Sequence, residues 1–252
     1  MKIAIITGAS SGLGVEFAKE IDKIRQDIDQ LWLIARREEK LNQLAKLLNK
    51  PSKIIPIDIT DENSLSNYKN LLEQENANVR LLINNAGFGK LGDFTEISTE
   101  HNTSMVRLNC EALTAITSIT LPFMREDSEI INSCSIASFA PNTRMAVYSS
   151  TKAYVMSFSR ALRSELKKRK INVLACCPGP MDTEFLNLAG ISKGKSFTFD
   201  TLPRVNPNTM ARKSLIASNK KKAVYTNRFF YKFYRILAKI LPHGLVMKMA
   251  GT

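Results

Sequence analysis

The feature that most constrains the fold is a glycine-rich turn between a short apolar run and an amphipathic segment. The run Ile3–Ile6 leads into the letters TGASSGLG, and helical periodicity follows over Val15–Ile28. Gly8 permits a tight turn, while Gly12 and Gly14 remove Cβ atoms where backbone must approach a pyrophosphate. The helix N-terminus then presents free N–H groups to that anion. This order of strand, turn and helix predicts a dinucleotide-binding unit, with a turn-only role for the glycines as the alternative.

Short apolar runs alternate with amphipathic segments along the rest of the chain. Further strands are predicted at Leu31–Ala35, Ile54–Ile57, Leu81–Ile83, Glu129–Asn132, Ile171–Cys176 and Lys222–Tyr225. Helical spacing of apolar residues marks Val15–Ile28, Glu38–Leu48 and Asn63–Leu72. Continuous Ile, Leu and Val is typical of parallel strands that are covered on both faces. The predicted fold class is therefore α/β, a single Rossmann-type doubly wound parallel sheet with helices on both faces.

One domain accounts for the whole chain. Its 252 residues are 44 % hydrophobic, which is enough for one large α/β unit. No repeat or low-complexity linker divides residues 1–252. Within residues 183–210, Gly190, Gly194, Pro203 and Pro207 interrupt any period, so we expect an irregular substrate loop or lid there.

Composition favours a reducing compartment. No apolar run approaches the ~18–20 residues that span a bilayer, and the first residues show no secretory signal. Four cysteines, two of them adjacent at Cys176 and Cys177, do not resemble a disulfide framework. No spacing among them or with His101 and His243 suggests a metal site. We therefore expect a soluble, cytoplasmic protein without a metal ion.

The net charge of +13 is distributed unevenly. Residues 1–159 have a net charge of −2, whereas residues 160–252 carry 19 Lys or Arg and 4 Asp or Glu, a net charge of +15. Such a basic excess favours phosphates, anionic lipid surfaces or nucleic acid as partners, and a solvated basic surface is the alternative. No nucleic-acid reading motif accompanies the charge, so we expect no nucleic-acid partner.

Residues 226–252 form a basic amphipathic C-terminal extension. Apolar residues recur at helical spacing at Phe230, Phe233, Tyr234, Leu237, Ile240 and Leu241, and basic residues lie between them at Arg228, Lys232, Arg235 and Lys239. Such a helix packs over a pocket, packs against a second subunit or makes weak contact with an anionic membrane. Together with Phe185, Phe197 and Phe199, the extension indicates a hydrophobic substrate region.

Two arginines follow the second predicted strand. An acidic residue there would bind the ribose 2′-hydroxyl of NAD, but the chain has Arg36 and Arg37. Arginine forks pair with phosphate, so the pair predicts a 2′-phosphate and the cofactor NADP(H). Which arginine dominates stays open, and exposure to water is the alternative for Arg37. Asp58 and Ile59, at the end of the third strand, are candidates for adenine contact, and an N-cap role is the alternative for Asp58.

Tyr148 and Lys152 lie four residues apart, so on a helix they share one face. An ammonium beside a phenol favours the phenolate and lowers its pKa from about 10 toward neutral pH. A tyrosine tuned in this way donates a proton to a carbonyl oxygen or accepts one from an alcohol. Taken alone, the same spacing also occurs by chance on helix surfaces.

These segments together resemble the classical short-chain dehydrogenase/reductase family. The matching segments are TGASSGLG (Thr7–Gly14), NNAG (Asn84–Gly87), Asn109, Ser135, YSSTK (Tyr148–Lys152) and PGPMDT (Pro178–Thr183). They occur in the family's order, and Ser135 precedes Tyr148 by 13 residues, as in that family. The resemblance is strong over residues 1–185 and weaker beyond them.

The resemblance implies a role for each polar residue of the site. Tyr148 is the general acid/base, Lys152 holds the nicotinamide ribose and lowers the pKa of Tyr148, and Ser135 bonds the substrate carbonyl. Asn109 orients a water in the proton relay, with an ordinary hydrogen bonder at a helix interruption as the alternative. Ser133, on the same strand face, is the alternative to Ser135.

The resemblance also implies hydride transfer between NADP(H) and a carbonyl or secondary alcohol substrate. The implied cofactor-binding residues are Gly8, Ser10, Ser11, Gly12, Leu13, Gly14, Arg36, Arg37, Asp58, Ile59, Asn85, Ala86, Gly87, Tyr148, Lys152, Pro178, Gly179, Met181 and Thr183. A homodimer or homotetramer would form through helices near 105–124 and 148–168. The alternatives are an NADP(H)-binding sensor or scaffold without turnover and a peripheral membrane-surface binder.

Overall fold

A computed structural model describes residues 1–192 and 197–249 of the chain. Seven parallel strands form one sheet in the order β3-β2-β1-β4-β5-β6-β7. The strands are β1 Lys2–Thr7, β2 Gln30–Ile34, β3 Ser52–Ile55, β4 Asn78–Asn84, β5 Met124–Ser133, β6 Asn172–Cys176 and β7 Val224–Tyr225. Each predicted strand has a counterpart, and the predicted fold class is confirmed.

Helices cover both faces of the sheet. In the described ranges they are α1 Gly12–Ile24, α2 Glu38–Ala45, α3 Glu62–Gln74, α4 Thr99–Val106, α5 Leu113–Thr120, α6 Ala146–Glu165, α7 Glu184–Leu188, α8 Phe197–Thr201, α9 Pro207–Asn219, α10 Phe229–Ile240 and α11 His243–Met249. A π-helical turn, Arg107–Ala112, joins α4 to α5, and short 3₁₀ turns span Leu121–Phe123, Ile136–Ser138 and Leu166–Arg169. In the described part of the chain, no helix is long and apolar enough to cross a membrane.

Alternate residues of β1 enter two separate apolar cores. Ala4 and Ile6 pack in the core that contains residues of α1, α2 and α9. Ile3 and Ile5 pack in the core that contains residues of α3 and α5. A strand buried on both faces needs apolar residues at every position, which explains the continuous Ile and Leu runs.

The first helix differs from its prediction at both ends. It begins at Gly12 instead of Val15 and ends at Ile24 instead of Ile28. The Arg25 side chain ends it by pairing at 2.8 Å with Asp27 and with Glu129 of β5, and the following chain turns toward β2. The same loop places Ile28 in the apolar core without helical structure.

The predicted irregular loop, residues 183–210, is only partly irregular. It contains α7, α8 and the start of α9, whose N-cap Asn206 accepts a hydrogen bond from the backbone N–H of Thr209 at 3.0 Å. Gly194 falls in residues 193–196, outside the described residues. The prediction that the whole segment is an irregular loop was therefore wrong. Short helices form between the glycine and proline residues on which that prediction was based.

The strand order reverses between β1 and β4. In an open parallel sheet this reversal opens a crevice at the carboxyl ends of the strands, where ligands bind. The glycine turn follows β1, and the NNAG segment follows β4. The fold thus places both motifs on the two sides of one crevice.

Candidate active site

A cavity of about 970 Å³ runs along the carboxyl ends of the strands from the glycine turn to the start of α6. All the predicted catalytic and cofactor residues line this cavity except Gly14 and Asn109. Both exceptions lie behind the cavity wall, where they support residues that do line it. Residues from sequence positions more than 140 apart therefore form one continuous site.

The glycine turn is packed so closely that side chains are excluded. A Cβ on Gly14 would lie 2.2 Å from the carbonyl oxygen of Gly8. A Cβ on Gly8, whose φ is +66°, would lie 2.9 Å from the Cα of Ala86. The N-cap Ser11 makes no side-chain hydrogen bond to α1, and the first turn of that helix has no acidic residue. The turn and the helix N-terminus therefore form a cradle that fits a phosphate anion.

Polar side chains fasten the glycine turn to the segment after β4. The hydroxyl of Thr7 accepts hydrogen bonds from the backbone N–H groups of Asn85 and Ala86 at 3.0 and 3.1 Å. The Asn85 amide donates to the carbonyl of Gly8 at 3.2 Å and accepts from the Ser133 hydroxyl at 3.1 Å. This network holds the two sides of the crevice at a set distance.

A basic corner lies beside the glycine turn. The Arg37 guanidinium donates to the Ser10 hydroxyl at 3.2 and 3.3 Å and pairs with Glu184 at 2.8 Å. The Arg36 guanidinium is largely exposed, with one oxygen of Asp58 at 3.7 Å. Each of the two guanidinium groups therefore has a carboxylate beside it, at the position where the sequence predicts a 2′-phosphate.

Asp58 lies at the wall of this corner and does not cap a helix. Burial raises its pKa, but hydrogen bonds from the N–H and hydroxyl of Thr60 outweigh burial, so the pKa lies below its ordinary value. The N-cap of α3 is Asp61, which accepts from the N–H of Ser64 at 2.7 Å. The N-cap alternative for Asp58 is therefore wrong, and the residue stays available beside the cavity.

Helix α6 places Tyr148 and Lys152 side by side in the cavity wall, and both are buried. The Lys152 ammonium donates to the carbonyl oxygen of Ser133 at 2.8 Å and lies 5.8 Å from the centre of the Tyr148 ring. A Cβ on Gly87 would lie 3.5 Å from the Lys152 nitrogen. The surface-pair alternative is therefore wrong, because the shared helix face points into the site.

The structure distinguishes between the two candidate serines. The Ser133 hydroxyl is turned toward Asn85, to which it donates a hydrogen bond. The Ser135 hydroxyl accepts a bond from the N–H of Ala137 at 3.1 Å and is hydrogen-bonded with Tyr148. Ser135 is therefore the serine that stands beside the phenol, as the 13-residue spacing predicts.

Burial controls the protonation of the tyrosine and the lysine. Burial raises the pKa of Tyr148 well above its ordinary value, and the hydrogen bond with Ser135 offsets only part of this effect. Burial also lowers the pKa of Lys152. The sequence predicted a lowered phenol pKa, and the structure differs because the phenol is desolvated by burial.

Asn109 lies in the π-helical turn between α4 and α5 and is almost fully buried. Its amide oxygen accepts from the N–H of Phe88 at 3.0 Å, and its amide nitrogen donates to the carbonyl of Phe88 at 2.9 Å and to the Thr151 hydroxyl at 3.0 Å. A Cβ on Gly87 would lie 2.8 Å from the amide oxygen. Asn109 thus lies where the regular α-helix is interrupted, which agrees with the alternative of an ordinary hydrogen-bonding residue at such a position. Its side chain also links the segment after β4 to α6.

The far end of the cavity is apolar. Its lining includes Phe88, Met145, Phe185, Leu188, Phe199, Leu202, Phe230, Phe233, Tyr234 and Leu237. The Phe185 ring lies 5.6 Å from the Tyr148 ring, so the apolar region begins directly at the phenol. The predicted Phe185 and Phe199 are brought together there, and the Phe197 side chain falls outside the described residues.

Helix α10 covers the cavity, and its anchor is a residue that the sequence analysis missed. Tyr231 is fully buried, and its hydroxyl donates to the carbonyl of Pro203 at 2.7 Å. A Cβ on Gly179 would lie 2.4 Å from the Tyr231 ring, so the ring rests directly on the segment after β6. The available signal was Gly179 itself, because a glycine between two prolines marks a close approach by another group.

A second contact holds the C-terminal extension in place. Ala238 of α10 and Val246 of α11 are buried against Ala140, which follows the Ser135 turn. Packing over the pocket is therefore the arrangement that the structure shows for this helix. The predicted apolar positions were right for the cavity side, but Ile240 is exposed instead of packed.

Comparisons with known proteins agree with this geometry. A model of the short chain dehydrogenase family matches residues 2–191. An uncharacterized oxidoreductase from Staphylococcus epidermidis is 30 % identical over 184 residues, covering 72 % of this chain and 79 % of that protein.

Solved structures are similar over almost the whole chain. A short-chain dehydrogenase from Sphingobium yanoikuyae in complex with NADPH is 26 % identical with a TM-score of 0.78, covering 96 % of this chain and 97 % of that chain. A bulky-bulky ketone specific alcohol dehydrogenase from Comamonas testosteroni is 25 % identical with a TM-score of 0.75, covering 95 % of this chain and 91 % of that chain.

Proposed function

Because the chain belongs to the short-chain dehydrogenase family, we propose that it transfers a hydride between NADP(H) and a hydrophobic carbonyl compound or secondary alcohol. The observation that carries the proposal is the continuity of one cavity, which joins the glycine cradle to Tyr148, Lys152 and Ser135. Cofactor and substrate can therefore meet next to a group that moves protons.

The chain's residues fit a dinucleotide with an extra phosphate. The glycine turn and the N-terminus of α1 would hold the pyrophosphate, and Lys152 would hold the nicotinamide ribose. Arg36, Arg37 and Ser10 would hold the 2′-phosphate, since no acidic residue follows β2 directly. When bound, the nicotinamide supplies or accepts the hydride. The neighbour from Sphingobium yanoikuyae, solved with NADPH, supports this choice.

The protein's own contribution is to position the carbonyl and to move one proton. A phenol with its ordinary pKa of about 10 is protonated at neutral pH, and burial raises the pKa of Tyr148 further. Tyr148 therefore carries the proton that it would donate to the carbonyl oxygen during reduction. The Ser135 hydroxyl donates a hydrogen bond to the same oxygen as negative charge develops there. The Lys152 ammonium, fixed by the Ser133 carbonyl, stabilises the phenolate that remains.

The substrate class follows from the lining of the cavity. Aromatic and aliphatic side chains line the cavity together with polar ones such as His101 and Asn142, and the Phe185 ring lies 5.6 Å from the phenol ring. A substrate with a sizeable apolar body gains free energy by covering these side chains. The similarity to a bulky-bulky ketone specific alcohol dehydrogenase supports a ketone with large substituents.

An enzyme explains the site better than a sensor or scaffold does. A protein that only bound NADP(H) would need the cradle and the basic corner, but not a buried tyrosine and serine at the apolar end. Tyr148 and Ser135 both line that end of the cavity. Their burial has a cost in desolvation that cofactor binding alone does not require.

We also propose a cytoplasmic location and a homodimer or homotetramer. The four cysteines are free, as in reducing compartments. Exposed apolar side chains lie on the helices expected to form the subunit interface, at Val106 and Tyr154. Light scattering measures the subunit number directly.

Cofactor titration tests the proposed function. We expect the wild-type protein to bind NADPH roughly 10- to 100-fold more tightly than NADH, as a charge-assisted contact with phosphate provides. Arg36→Asp should abolish this preference, because it places an acid where the phosphate would lie. Arg212→Asp, on the exposed surface of α9, is the matched control and should retain it. Equal affinity of the wild type for both cofactors, or no binding, would contradict the proposal.

A further inference from the structure

Helix α10 has four distinct faces around its axis. Successive residues of an α-helix are about 100° apart, so the positions can be placed on a wheel. Tyr231 and Ala238 face the core, and Phe230, Tyr234 and Leu237 line the cavity. On the other two faces, only Phe233 touches the site already described, at the edge of the cavity.

The third face is an apolar stripe made of Phe229, Phe233, Ile236 and Ile240. Between 50 % and 81 % of the surface of each of these residues is exposed. Six of the thirteen exposed large hydrophobic residues in the described ranges lie within residues 229–245, although these are a small part of the chain. Contiguous exposed apolar surface of this kind marks a binding surface.

The fourth face is a basic row made of Arg228, Lys232, Arg235 and Lys239, next to the apolar stripe on the wheel. Lys232 and Lys239 are exposed and form no ion pair with any residue that the structure describes. Residues 201–252 contain 11 Lys or Arg and no Asp or Glu. Among the described residues, the ion pairs of this segment are Arg204 with Asp182 and Lys221 with Asp127, so most of its positive charge has no carboxylate partner there.

We propose that α10 lies flat on an anionic lipid surface. The apolar stripe would enter the boundary between head groups and acyl chains, and the basic row would contact lipid phosphates. A helix of 12 residues is about 18 Å long, so it is suited to lying in the interface and too short to cross it. An exposed apolar stripe beside a basic row is the pattern of an interfacial helix.

Charge favours a lipid surface over a second copy of the chain. A symmetric dimer through the stripe would bring two basic rows together, and no acidic residue of 201–252 could balance them. Lipid phosphates provide the missing negative charge together with an apolar phase.

The cavity opens next to the stripe. Three residues that line the cavity are also about half exposed, and they therefore form its rim. They are Leu188, Phe230 and Phe233. On the lipid surface this rim would face the bilayer. A hydrophobic carbonyl compound dissolved in the bilayer could then enter the cavity without crossing water, an inference that rests on the proposed function.

Vesicle flotation tests the lipid surface. The probes are phosphatidylcholine vesicles with and without phosphatidylglycerol, at low and at high salt. We expect the wild type to float with the anionic vesicles at low salt and to be released at high salt. The stripe variant, Phe229→Gln with Ile236→Gln and Ile240→Gln, should lose at least about tenfold in lipid affinity because it removes the inserted apolar surface.

A second variant tests the basic row. Lys232→Gln with Lys239→Gln should lose about 30-fold in affinity for anionic vesicles, about fivefold for each lysine. Two controls carry the same number and kind of changes elsewhere on exposed surface. They are Leu47→Gln with Phe94→Gln and Ile216→Gln for the stripe, and Lys46→Gln with Lys168→Gln for the basic row. Both controls should bind vesicles as the wild type does.

Three results would overturn the proposal. The first is no flotation of the wild type with anionic vesicles, and the second is equal loss in the controls. The third is a lower particle mass of the stripe variant than of the wild type, measured by light scattering. This result would show that the stripe contacts a second copy of the chain. None of the three replaced stripe residues lines the cavity, so activity on a water-soluble ketone should stay unchanged. Flotation without any such activity would reject the proposed function and leave the lipid contact standing.

Discussion

The two ends of the cavity are built from different materials. At the cofactor end, backbone atoms form the wall, and Gly8 and Gly14 leave no room for a side chain. At the substrate end, aromatic side chains form the wall, and Phe185, Phe199 and Tyr231 come from the C-terminal third of the chain. We expect the first end to bind the cofactor, whose chemical structure is constant. The second end would bind a substrate whose shape must fit the packing of these side chains.

This difference explains why the sequence predicts the cofactor end in more detail than the substrate end. A backbone cradle depends on residues a few positions apart, so its chemistry can be recognised in a short motif. A side-chain wall depends on which distant segments meet, as Gly179 and Tyr231 do. The comparison therefore predicts that changes at the cofactor end affect all substrates alike, and that changes at the substrate end depend on substrate size.

The largest effect is expected where the two ends meet. Tyr148→Phe should lower kcat by about 10²- to 10⁴-fold, because it removes the proton donor while the ring still fills its place. NADPH affinity should change little, since the ribose contact is assigned to Lys152. Steady-state kinetics and cofactor titration measure both quantities.

The matched control for this change is Tyr154→Phe. Tyr154 lies on the same helix but is exposed, and its hydroxyl is hydrogen-bonded to Thr114 outside the cavity. Its kcat should remain close to that of the wild type. If Tyr148→Phe instead lost cofactor affinity and kcat together, Tyr148 would be a structural residue of the cofactor end.

Two alanine substitutions compare the two ends directly. Gly14→Ala places a Cβ 2.2 Å from the carbonyl oxygen of Gly8, so the cradle must shift, with a cost of about 1–3 kcal/mol in unfolding free energy. NADPH affinity should fall by at least about tenfold. Gly179→Ala places a Cβ 2.4 Å from the Tyr231 ring, so we expect α10 to move and KM for large ketones to rise.

Urea unfolding and NADPH titration distinguish these two outcomes. Gly244→Ala is the control, because nothing lies within 4 Å of its added Cβ, and its stability should stay within about 0.5 kcal/mol of the wild type. The family resemblance also assigns Gly179 to the cofactor site, so Gly179→Ala should lose some NADPH affinity, but less than Gly14→Ala. An equal loss in the two variants would contradict the difference between the two ends. The two ends would then act as one unit.

The effect that depends most on the substrate is expected in the apolar wall. Phe185→Ala with Phe199→Ala should raise KM for bulky apolar ketones by roughly 10- to 100-fold and for small ketones much less, because each lost ring removes apolar contact of a few kcal/mol at most. A series of ketones of increasing size measures the trend. Equal increases for small and large ketones would show that the two rings position the catalytic groups and do not select substrates.

Most of the sheet and much of the site could be predicted from the sequence. The parallel strands were predictable because burial on both faces requires apolar residues at every position, as in β1. Tyr148 and Lys152 were predictable as a pair because helical spacing fixes their common face. Ser135 was separable from Ser133 only through the family spacing, and the bond from Ser133 to Asn85 provides the physical reason.

Other features depend on contacts that no local pattern records. Helix α1 ends at Ile24 because Arg25 pairs with Glu129, which lies more than 100 residues away in sequence. The raised phenol pKa of Tyr148 was not predictable, because it depends on how deeply the fold buries the ring. The sequence pattern shows that a lysine is near, but not that its ammonium donates a hydrogen bond to the carbonyl of Ser133.

The fold class, the glycine cradle and the pairing of Tyr148 with Lys152 could be predicted from the sequence alone, since each depends on residues close together along the chain. The tertiary structure alone decided what covers the cavity and which face of the last long helix stays exposed. Tyr231 anchors α10 on Gly179, and that anchor turns Phe229, Ile236 and Ile240 outward. The physical reason is that an amphipathic helix has several apolar positions, and only the surface it packs against decides which of them are buried.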